Sequence, residues 1–323
     1  MNRYIQMLRM VSRTFTLSIE QLPKDIRDAV ALSYLLYRVS DCLEDHATIE
    51  AAEKAQLLEL WSKILEGQSA PAELTRQISN LDASDPEVYV AQQADDLIDY
   101  LNTFPPDIRT IIIDRVNETT LGMARWQKQG PYVKTEAELD DCMYYVAGLV
   151  GYLLTDLFAW HSPRIKARKN ALLPLSREFG LALQTVNVIR GLRKDYDRGW
   201  VFVPQTFLKQ ADLTPDQLFM INFEERGLQV VRMLADKAEQ HLQHGLEYIL
   251  TIPRTQHRIR LFCIWPLFFA AKTLAISRNN VSVLRDEAKM SRAQVKTIVR
   301  DTTLLGWSNR WLHRYYTSLD YST

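Results

Sequence analysis

The sequence has few cysteines and few helix-breaking residues. Its three cysteines, Cys42, Cys142 and Cys263, form no CxxC pair and leave one thiol unpaired under any single disulfide. This pattern excludes a cysteine-ligated metal cluster and favours a reducing cytosol. Glycine and proline number only 11 and 12 in 323 residues, and the apolar–polar alternation typical of strands is nearly absent. The sequence therefore predicts a protein built of helices.

The sequence also has no net charge and no long apolar run. Its 39 basic and 39 acidic residues cancel, so no overall positive field would attract nucleic acid, and we expect no nucleic-acid partner. The N-terminal stretch lacks the apolar core of a secretion signal. The longest uncharged apolar run, 261–271, is far shorter than the ~20 residues that a membrane span requires. We interpret it as a buried core helix and expect a cytoplasmic protein.

Several common motifs of enzymes are missing as well. The chain contains no GxGxxG, no GxxxxGK and no HExxH, so the usual nucleotide loops and the zinc-protease site are excluded. His241 and His244 have the i, i+3 spacing of metal ligands, but no third ligand lies near them in the sequence. We expect these two histidines to lie on an exposed helical face.

Apolar spacings of three and four residues recur along the chain and predict where its helices lie. We predict a helix over 24–45, with Pro23 before it and Asp25 and Asp28 in its early turns. Further helices are predicted at 50–66, 87–103, 106–128, 136–160, 164–196, 215–250, 255–277 and 292–316. The connections are too short to be interdomain linkers, so we expect one domain over 1–323.

The first candidate site lies at the end of the helix predicted over 24–45. Asp41, Glu44 and Asp45 are spaced i, i+3 and i+4 in "YRVSDCLEDH", which places three carboxylates on one helical face. Such like charges repel unless cations neutralise them, and oxygen ligands completed by phosphates suit magnesium. Arg38 and Tyr34 precede the acids by about one and two turns. A solvated acidic helix end would give the same pattern.

The second candidate site is the stretch "LQTVNVIRGLRKDYDRGWVFVP", 183–204. Asn187, Gly191 and Asp195 lie at i, i+4 and i+8 on one helical face, which Gln184 joins. The basic side chains suited to phosphate are Arg190, Arg193, Lys194 and Arg198. A solvated surface helix explains a basic run equally well, but glycine inside a helix costs ~1 kcal/mol relative to alanine. Gly191 is therefore unusual for a purely structural position.

A third stretch, "YYVAGLVG" at 144–151, is rich in small residues. Ala147, Gly148 and Gly151 strip side chains from a predicted helix, beside the hydroxyl of Tyr145. Two explanations remain open: close approach of another helix, or room for a bulky ligand.

Together these stretches resemble the squalene and phytoene synthase family of head-to-head prenyl transferases. The similar segments are SRTF (12–15), YRVSDCLED (37–45), YYVAGLVG (144–151), QTVNVIR (184–190) and RGWVFVP (198–204). FCIWP (262–266) and AKMSR (288–292) are similar to the squalene branch in particular. The resemblance implies an all-α, single-domain isoprenoid-synthase-type helical bundle around a central cavity, with two aspartate-rich helices facing each other across it.

The resemblance also implies a role for each matching residue. The implied magnesium ligands are Asp41, Glu44, Asp45 and Asp195. The implied catalytic residues are Tyr145, which would assist proton loss, with Asp41, Asp45 and Asp195. The implied substrate-binding residues are Ser12, Arg13, Phe15, Tyr34, Arg38, Gln184, Asn187, Arg190 and Lys194. In AKMSR, Lys289 and Arg292 are implied to bind NADPH.

The implied reaction joins two farnesyl diphosphates head to head through presqualene diphosphate and reduces the product to squalene with NADPH. Two alternatives stay open. One is a non-reductive relative that makes presqualene diphosphate, dehydrosqualene or phytoene, and the other is a catalytically silent lipid-binding or assembly factor. Since a hydrocarbon product would enter the bilayer, we expect peripheral contact with the inner face of the membrane. The tail "WSNRWLHRYY", 307–316, would make that contact or pack as a helix.

The chain departs from the family pattern in the second motif. The family has an acid, two other residues and an acidic pair where this chain reads "GLRKD", 191–195. Gly191 and Lys194 thus replace two of three acids. Either this face still carries a metal, or lysine and arginine hold the diphosphate without one.

Overall fold

A computed structural model of the chain describes residues 3–320, apart from the side chains of residues 13, 14 and 320. The helices are α1 (Arg3–Val11), α2 (Arg13–Gln21), α3 (Lys24–Asp45), α4 (Ala51–Leu65), α5 (Pro71–Gln77), α6 (Pro86–Ala91), α7 (Ala94–Asn102), α8 (Pro106–Gln129), α9 (Glu136–Met143), α10 (Leu149–His161), α11 (Pro163–Lys166), α12 (Lys169–Asp197), α13 (Gln205–Gln210), α14 (Glu224–Thr251), α15 (His257–Ser277), α16 (Arg292–Leu305) and α17 (Asn309–Asp320). A π-helical segment, Tyr144–Gly148, joins α9 to α10, and 3₁₀ turns lie at Gln217–Phe219, Ile221–Phe223 and Val281–Leu284. Over residues 3–320 the only β-type pairing is an isolated bridge between Tyr132 and Val201. The predicted all-α class is confirmed.

The chain groups into two compact units. Unit 1 comprises Met1–Gly130 and Tyr152–Lys169, and unit 2 comprises Pro131–Gly151 and Asn170–Thr323. The expectation of a single domain over 1–323 stays a prediction.

In unit 1, α3 is the central helix and runs beside α4, α6 and α8. Its apolar stripe, which includes Leu32, Leu36 and Val39, is fully buried, and each such side chain contributes roughly 1.5–3 kcal/mol by leaving water. Near the end of α3 the hydroxyls of Ser40 and Thr120 form a buried 2.8 Å hydrogen bond to α8. This bond satisfies two polar groups and fixes the part of α3 that carries the acidic motif.

In unit 2, α14 and α15 form the centre, and a buried arginine fastens the ends of the surrounding helices. Arg260 is fully buried and donates hydrogen bonds to the carbonyl oxygens of Ile249 (2.9 Å) and Ile252 (2.7 Å). It also donates to Oδ1 of Asn309 at 2.7 Å. Since the last carbonyls of α14 have no partner within that helix, the guanidinium serves as its C-terminal cap.

The small residues of unit 2 mark a close crossing of helices. A Cβ atom placed on Gly180 of α12 would lie 2.3 Å from the carbonyl oxygen of Ala147, and one on Gly151 would lie 2.1 Å from that of Ser176. Only glycine permits backbones to approach this closely. Of the two explanations for the small residues, helix packing therefore accounts for Gly151.

Two helical stretches are long and apolar enough to cross a membrane by length and composition, Glu136–His161 and His257–Ser277. Within the protein, 56% and 72% of their most apolar windows are buried. A core helix passes the same test, so this evidence for a span is weak. The second stretch, α15, contains the apolar run 261–271 and matches the buried core helix predicted for it.

The predicted helices match the structure best where they are long. The helix over 24–45 coincides with α3, whereas each of the helices predicted over 87–103, 136–160, 164–196 and 292–316 is divided in two. The helix predicted to begin at 215 begins at Glu224, after two 3₁₀ turns. Four short helices, α1, α2, α5 and α13, were not predicted.

Candidate functional site

The first acidic motif lies on the last turn and a half of α3. Asp41 and Glu44 are half-buried and Asp45 is exposed. The helix ends at Asp45, and the next residue, His46, closes it with a backbone hydrogen bond to Cys42. Because carboxylates at the C-terminus of a helix meet the negative end of its dipole, this placement does not stabilise the helix. It favours a role in binding cations.

Arg38 is held in a fixed position beside these acids. Its Nη1 lies 3.3 Å from Oδ2 of Asp41 and 3.0 Å from Oε1 of Glu87, and its Nη2 donates to the Tyr34 hydroxyl at 2.7 Å. The Phe15 ring lies 5.6 Å from the Tyr34 ring. The structure thus brings together three residues that the resemblance assigns to substrate, Phe15, Tyr34 and Arg38, and one that it assigns to magnesium, Asp41. Glu87, from the start of α6, was not predicted, because nothing in its local sequence links it to α3.

The electrostatic environment of the motif disfavours its negative charges. Burial raises the pKa of Asp41 to about 6, with Arg38 opposing the rise and Asp45 and Glu87 adding to it. Burial, together with repulsion by Asp45 and Asp41, raises the pKa of Glu44 to about 8. A bound cation would relieve this repulsion.

These carboxylates fit magnesium in their chemistry, although they do not form a complete cage by themselves. Over residues 3–320, no group of three or more His, Cys, Asp or Glu side chains is arranged to hold a metal ion. Magnesium commonly takes only one or two carboxylates and completes its shell with water and substrate phosphates. The α3 face supplies oxygen ligands of that kind.

The segment before α3 contributes a helix cap and an exposed ring. Ser12 is the N-cap of α2, and its hydroxyl accepts a 3.2 Å hydrogen bond from the amide of Phe15. Phe15 is 37% exposed. Arg13 was predicted to bind substrate, and its side chain lies outside the described part of the chain.

Tyr145, which is predicted to assist proton loss, lies in the π-helical segment between α9 and α10. Its ring meets that of Tyr144 edge-on at 5.1 Å, and the guanidinium of Arg177 lies 5.7 Å from the Tyr144 ring. Segments of π-helix are rare and often occur at functional sites. This local geometry is consistent with the role that the resemblance implies for Tyr145.

The second motif lies near the end of α12 in unit 2. Gln184 is half-buried, and Asn187 and Arg190 are exposed. The Asn187 side chain donates a weak hydrogen bond of 3.4 Å to Gln184. Among the described residues, neither Arg190 nor Lys194 has an ion-pair partner.

Gly191 leaves space that Asp195 fills. A Cβ atom placed on Gly191 would lie 3.2 Å from Oδ2 of Asp195. Oδ1 of Asp195 forms a 2.5 Å ion pair with Nη2 of Arg198, and the Asp195 side chain is only 14% exposed. The one carboxylate that remains in the motif is therefore already paired with a cation. On its own, this face does not fit a magnesium site.

The sequence profile of squalene/phytoene synthases matches residues 8–294 of the chain. The chain belongs to this family. It is 30% identical over 311 residues to the squalene synthase of Schizosaccharomyces pombe, covering 92% of this chain and 64% of that protein. It is 26% identical over 302 residues to the squalene synthase of Homo sapiens, covering 92% and 68%. The chain thus spans about two thirds of the length of these relatives.

The family fold is also found among solved structures. A structure of TcSQS with a bound ligand matches with a TM-score of 0.83 and 23% identity, over 98% of this chain and 89% of that one. A dehydrosqualene synthase in complex with a ligand matches with a TM-score of 0.61 and 18% identity, over 98% and 95%. At such identities the likeness shows the fold, which agrees with the isoprenoid-synthase type predicted for this squalene/phytoene synthase family member.

The residues that this family resemblance assigns to NADPH lie at the start of α16. Lys289 is exposed and pairs with Glu287 at 2.9 Å. Arg292 is exposed and is the first residue of α16, after Ser291, whose hydroxyl and amide form a capping box with Gln294. Two exposed cations at a helix N-terminus suit a phosphate group, although Glu287 already neutralises part of this charge.

Unit 2 contains a buried ionic cluster that was not predicted from the sequence. His241 Nδ1 lies 2.6 Å from Glu178 Oε2, and Lys237 Nζ lies 2.7 Å from Asp140 Oδ1. The expectation that His241 is exposed is wrong: it is 8% exposed, because its face of α14 is turned towards α9 and α12. The His244 side chain, 49% exposed, agrees with the prediction. The sequence offered no signal here, because the four residues come from three separate helices.

Burial opposes the charge of His241, but its contact with Asp140 at 3.6 Å and its hydrogen bond with Glu178 outweigh this effect and raise the pKa of His241. The pKa of Asp140 is lowered, since His241 and Lys237 outweigh its burial. The pKa of Glu178 is lowered chiefly by its hydrogen bond to His241. The cluster is thus stabilised in its charged form.

Proposed function

We propose that the chain is a magnesium-dependent prenyltransferase that joins two farnesyl diphosphates head to head and reduces the product to squalene with NADPH. The observation that carries the proposal is the α3 face, where Arg38 lies between Asp41 and Glu87 and is fixed by Tyr34. Family membership supplies the reaction class. Arg38 is thereby held next to the acids that would bind magnesium.

The reaction requires a leaving diphosphate to be stabilised and water to be excluded. One farnesyl diphosphate loses its diphosphate, a double bond of the second attacks the allylic cation, and loss of a proton closes the cyclopropane of presqualene diphosphate. Arg38 would balance charge on the departing diphosphate, as arginine does through paired hydrogen bonds. Tyr145 would assist the proton loss. A second loss of diphosphate followed by hydride addition gives squalene.

Both cofactors would act through residues already described. Magnesium held by Asp41, Glu44 and Asp45 would act as a Lewis acid on the diphosphate. NADPH near Lys289 and Arg292 would supply the hydride.

The test is a product assay with purified protein and farnesyl diphosphate, with and without magnesium and NADPH. We expect squalene only when both are present. Asp41→Asn should lower turnover by at least about 100-fold, since it weakens the stabilisation of the leaving group, while Asp28→Asn, on the same helix but paired only with Arg27, should retain activity. A single product with and without NADPH would refute the reduction and support the dehydrosqualene or presqualene alternative. This alternative has specific support, because Lys289 is already paired with Glu287.

We further propose that the protein is cytoplasmic and contacts anionic membrane surfaces through the turn between α16 and α17. The tail aromatics mostly pack inside unit 2: Trp311 stacks on Tyr315 at 4.5 Å and Tyr315 contacts Phe268. Exposed apolar side chains lie at the end of α16 and in the turn that follows it, those of Leu304, Leu305 and Trp307, at 66%, 41% and 54%. The exposed cations that flank it are Arg300, Arg310 and Arg314. Apolar side chains ringed by basic ones are typical of peripheral membrane contacts.

Co-sedimentation with vesicles tests this contact. We expect the protein to sediment with vesicles that contain phosphatidylserine more than with neutral ones, and Trp307→Ser to reduce the bound fraction. Trp160→Ser, which removes a 39% exposed tryptophan of unit 1, serves as the matched control. Equal binding by the two variants would contradict the assignment of the turn.

A further inference from the structure

The second motif carries more positive than negative charge on its functional face. Residues on an α-helix advance by about 100° each, so Asn187, Lys194 and Arg198 lie within about 40° of one another. The amide of Arg198 bonds to the carbonyls of Lys194 and Asp195 at 3.2 and 3.1 Å, so the helical turn continues to this residue. Arg190 borders the same face, and so does Asp197, whose carboxylate is paired with Arg193 at 2.8 Å. Three cations, Arg190, Lys194 and Arg198, therefore accompany one carboxylate of the motif, that of Asp195.

This arrangement of charges disfavours the binding of a divalent metal ion at the α12 face. Asp195 is the motif carboxylate that a metal at this face would use, and it is already engaged at 2.5 Å by Arg198 and is mostly buried. The next carboxylate, that of Asp197, is paired with Arg193. The positive charges of Arg190 and Lys194, neither of which has an ion-pair partner among the described residues, would repel the metal. The same cations would attract a polyanion, and arginine suits phosphate oxygens through its fork of donors.

We infer that the α12 face binds a diphosphate group directly through Arg190, Lys194 and Arg198, without a metal ion on Asp195. Asp195 orients the guanidinium of Arg198 and does not ligate metal. Gly191 leaves room for the Asp195 carboxylate beside Arg198, since a Cβ atom there would lie 3.2 Å from Oδ2 and the carboxylate would have to shift by a few tenths of an ångström. This inference rests on the proposed function, because it names the ligand of the same enzyme's second motif.

A count of bound metal tests the role of Asp195 without any turnover. The number of Mn²⁺ ions bound per chain is measured by electron paramagnetic resonance in the presence of inorganic pyrophosphate. We expect wild type and Asp195→Asn to bind the same number, and the double variant Gly191→Asp, Lys194→Glu to bind one more. A lower count in Asp195→Asn would show that Asp195 holds a metal and would overturn the inference.

The affinity for pyrophosphate in EDTA tests the cations. By calorimetry we expect the metal-free wild type to bind pyrophosphate, and Lys194→Gln to bind it at least about tenfold more weakly, as for loss of a charge-assisted hydrogen bond. Lys209→Gln, which removes an exposed charge from α13, should bind like wild type. If wild type does not bind pyrophosphate detectably, or if Lys194→Gln and Lys209→Gln lose the same affinity for it, the α12 face does not bind the diphosphate group directly. Because these measurements use no farnesyl substrate, they separate this inference from the proposed reaction, which the product assay tests.

Discussion

The crossing of α12 with the π-helical segment predicts the effect of one added methyl group. Gly180 is buried, and a Cβ atom on it would lie 2.3 Å from the carbonyl oxygen of Ala147, 2.7 Å from the carbonyl carbon and 2.8 Å from Cα of Gly148. All three atoms belong to the backbone of the segment that carries Tyr145. Gly180→Ala should therefore disturb both the packing of unit 2 and the position of Tyr145.

Two opposing terms set the magnitude. Alanine in a helix interior is about 1 kcal/mol more favourable than glycine. Against this, the new contact is about 1 Å shorter than ordinary van der Waals contact, and forced overpacking costs typically 1–3 kcal/mol. A backbone carbonyl cannot rotate away as a flexible side chain can, so we take the upper part of that range. The net expectation is a loss of about 2 kcal/mol in the free energy of unfolding.

Gly191→Ala is the matched control, because Gly191 lies on the same helix. There the nearest atom is Oδ2 of the Asp195 side chain, at 3.2 Å, and a carboxylate can shift by the few tenths of an ångström required. We expect Gly191→Ala to be as stable as wild type or up to about 1 kcal/mol more stable. Urea unfolding followed by circular dichroism compares the two variants. If Gly180→Ala unfolds at the same or a higher urea concentration than Gly191→Ala, the close crossing is not present as described.

Two further predictions concern charged groups. Glu87→Gln removes one of the contacts that hold Arg38. Since a partly exposed ion pair contributes about 1 kcal/mol or less, we expect KM for farnesyl diphosphate to rise at most about fivefold, and the control Glu118→Gln to leave KM unchanged. A loss of activity of more than 100-fold would instead indicate that Glu87 acts in the chemistry. His241 has a raised pKa in the folded protein. Its contribution to stability is therefore complete below its pKa in the unfolded chain, about 6.5, and is lost as the pH rises through its pKa in the folded protein. The urea midpoints of wild type and His241→Gln should therefore converge as the pH rises above about 6.5, and a difference that stays constant as the pH rises would refute this account. Asp140 and Glu178, whose pKa values are lowered, add stability that is lost only as the pH falls below about 4.5.

The sequence predicts helices well where one apolar face runs without interruption. The stripe of α3, preceded by Pro23 and followed by His46, leaves little choice of ends. The helix predicted over 87–103 instead breaks at Gln92 and Gln93, where the residues on both sides have good helical character. The break follows from packing: the Gln92 side chain donates to the carbonyls of Ile78 and Leu81, and nothing local predicts those partners.

The candidate site could be predicted only where its residues share one helix. Spacing places the acids of α3 on one helical face and the basic side chains of α12 on another, and the family resemblance assigns the two faces to magnesium and diphosphate. Glu87 and the cluster around His241 depend on contacts between helices that are distant in sequence, and single residues in them look like ordinary surface charges. The engagement of Asp195 by Arg198 is local, but its effect on metal binding depends on side-chain geometry that spacing does not give.

The π-helical segment at Tyr144–Gly148 makes the length of the chain, as well as its composition, part of the site. A π turn holds about one residue more than an α turn, so it is equivalent to a one-residue insertion in a continuous helix. Deleting one residue from this segment would allow an α-helix to run from α9 into α10 with little change in the relative phase of the two helices, because the deletion removes the extra residue of the π turn. Asp140 would keep its direction towards Lys237, whereas the side chains within the former π turn, including that of Tyr145, would be redirected. The extra residue, as well as the chemistry of the side chains, thus sets the direction of Tyr145.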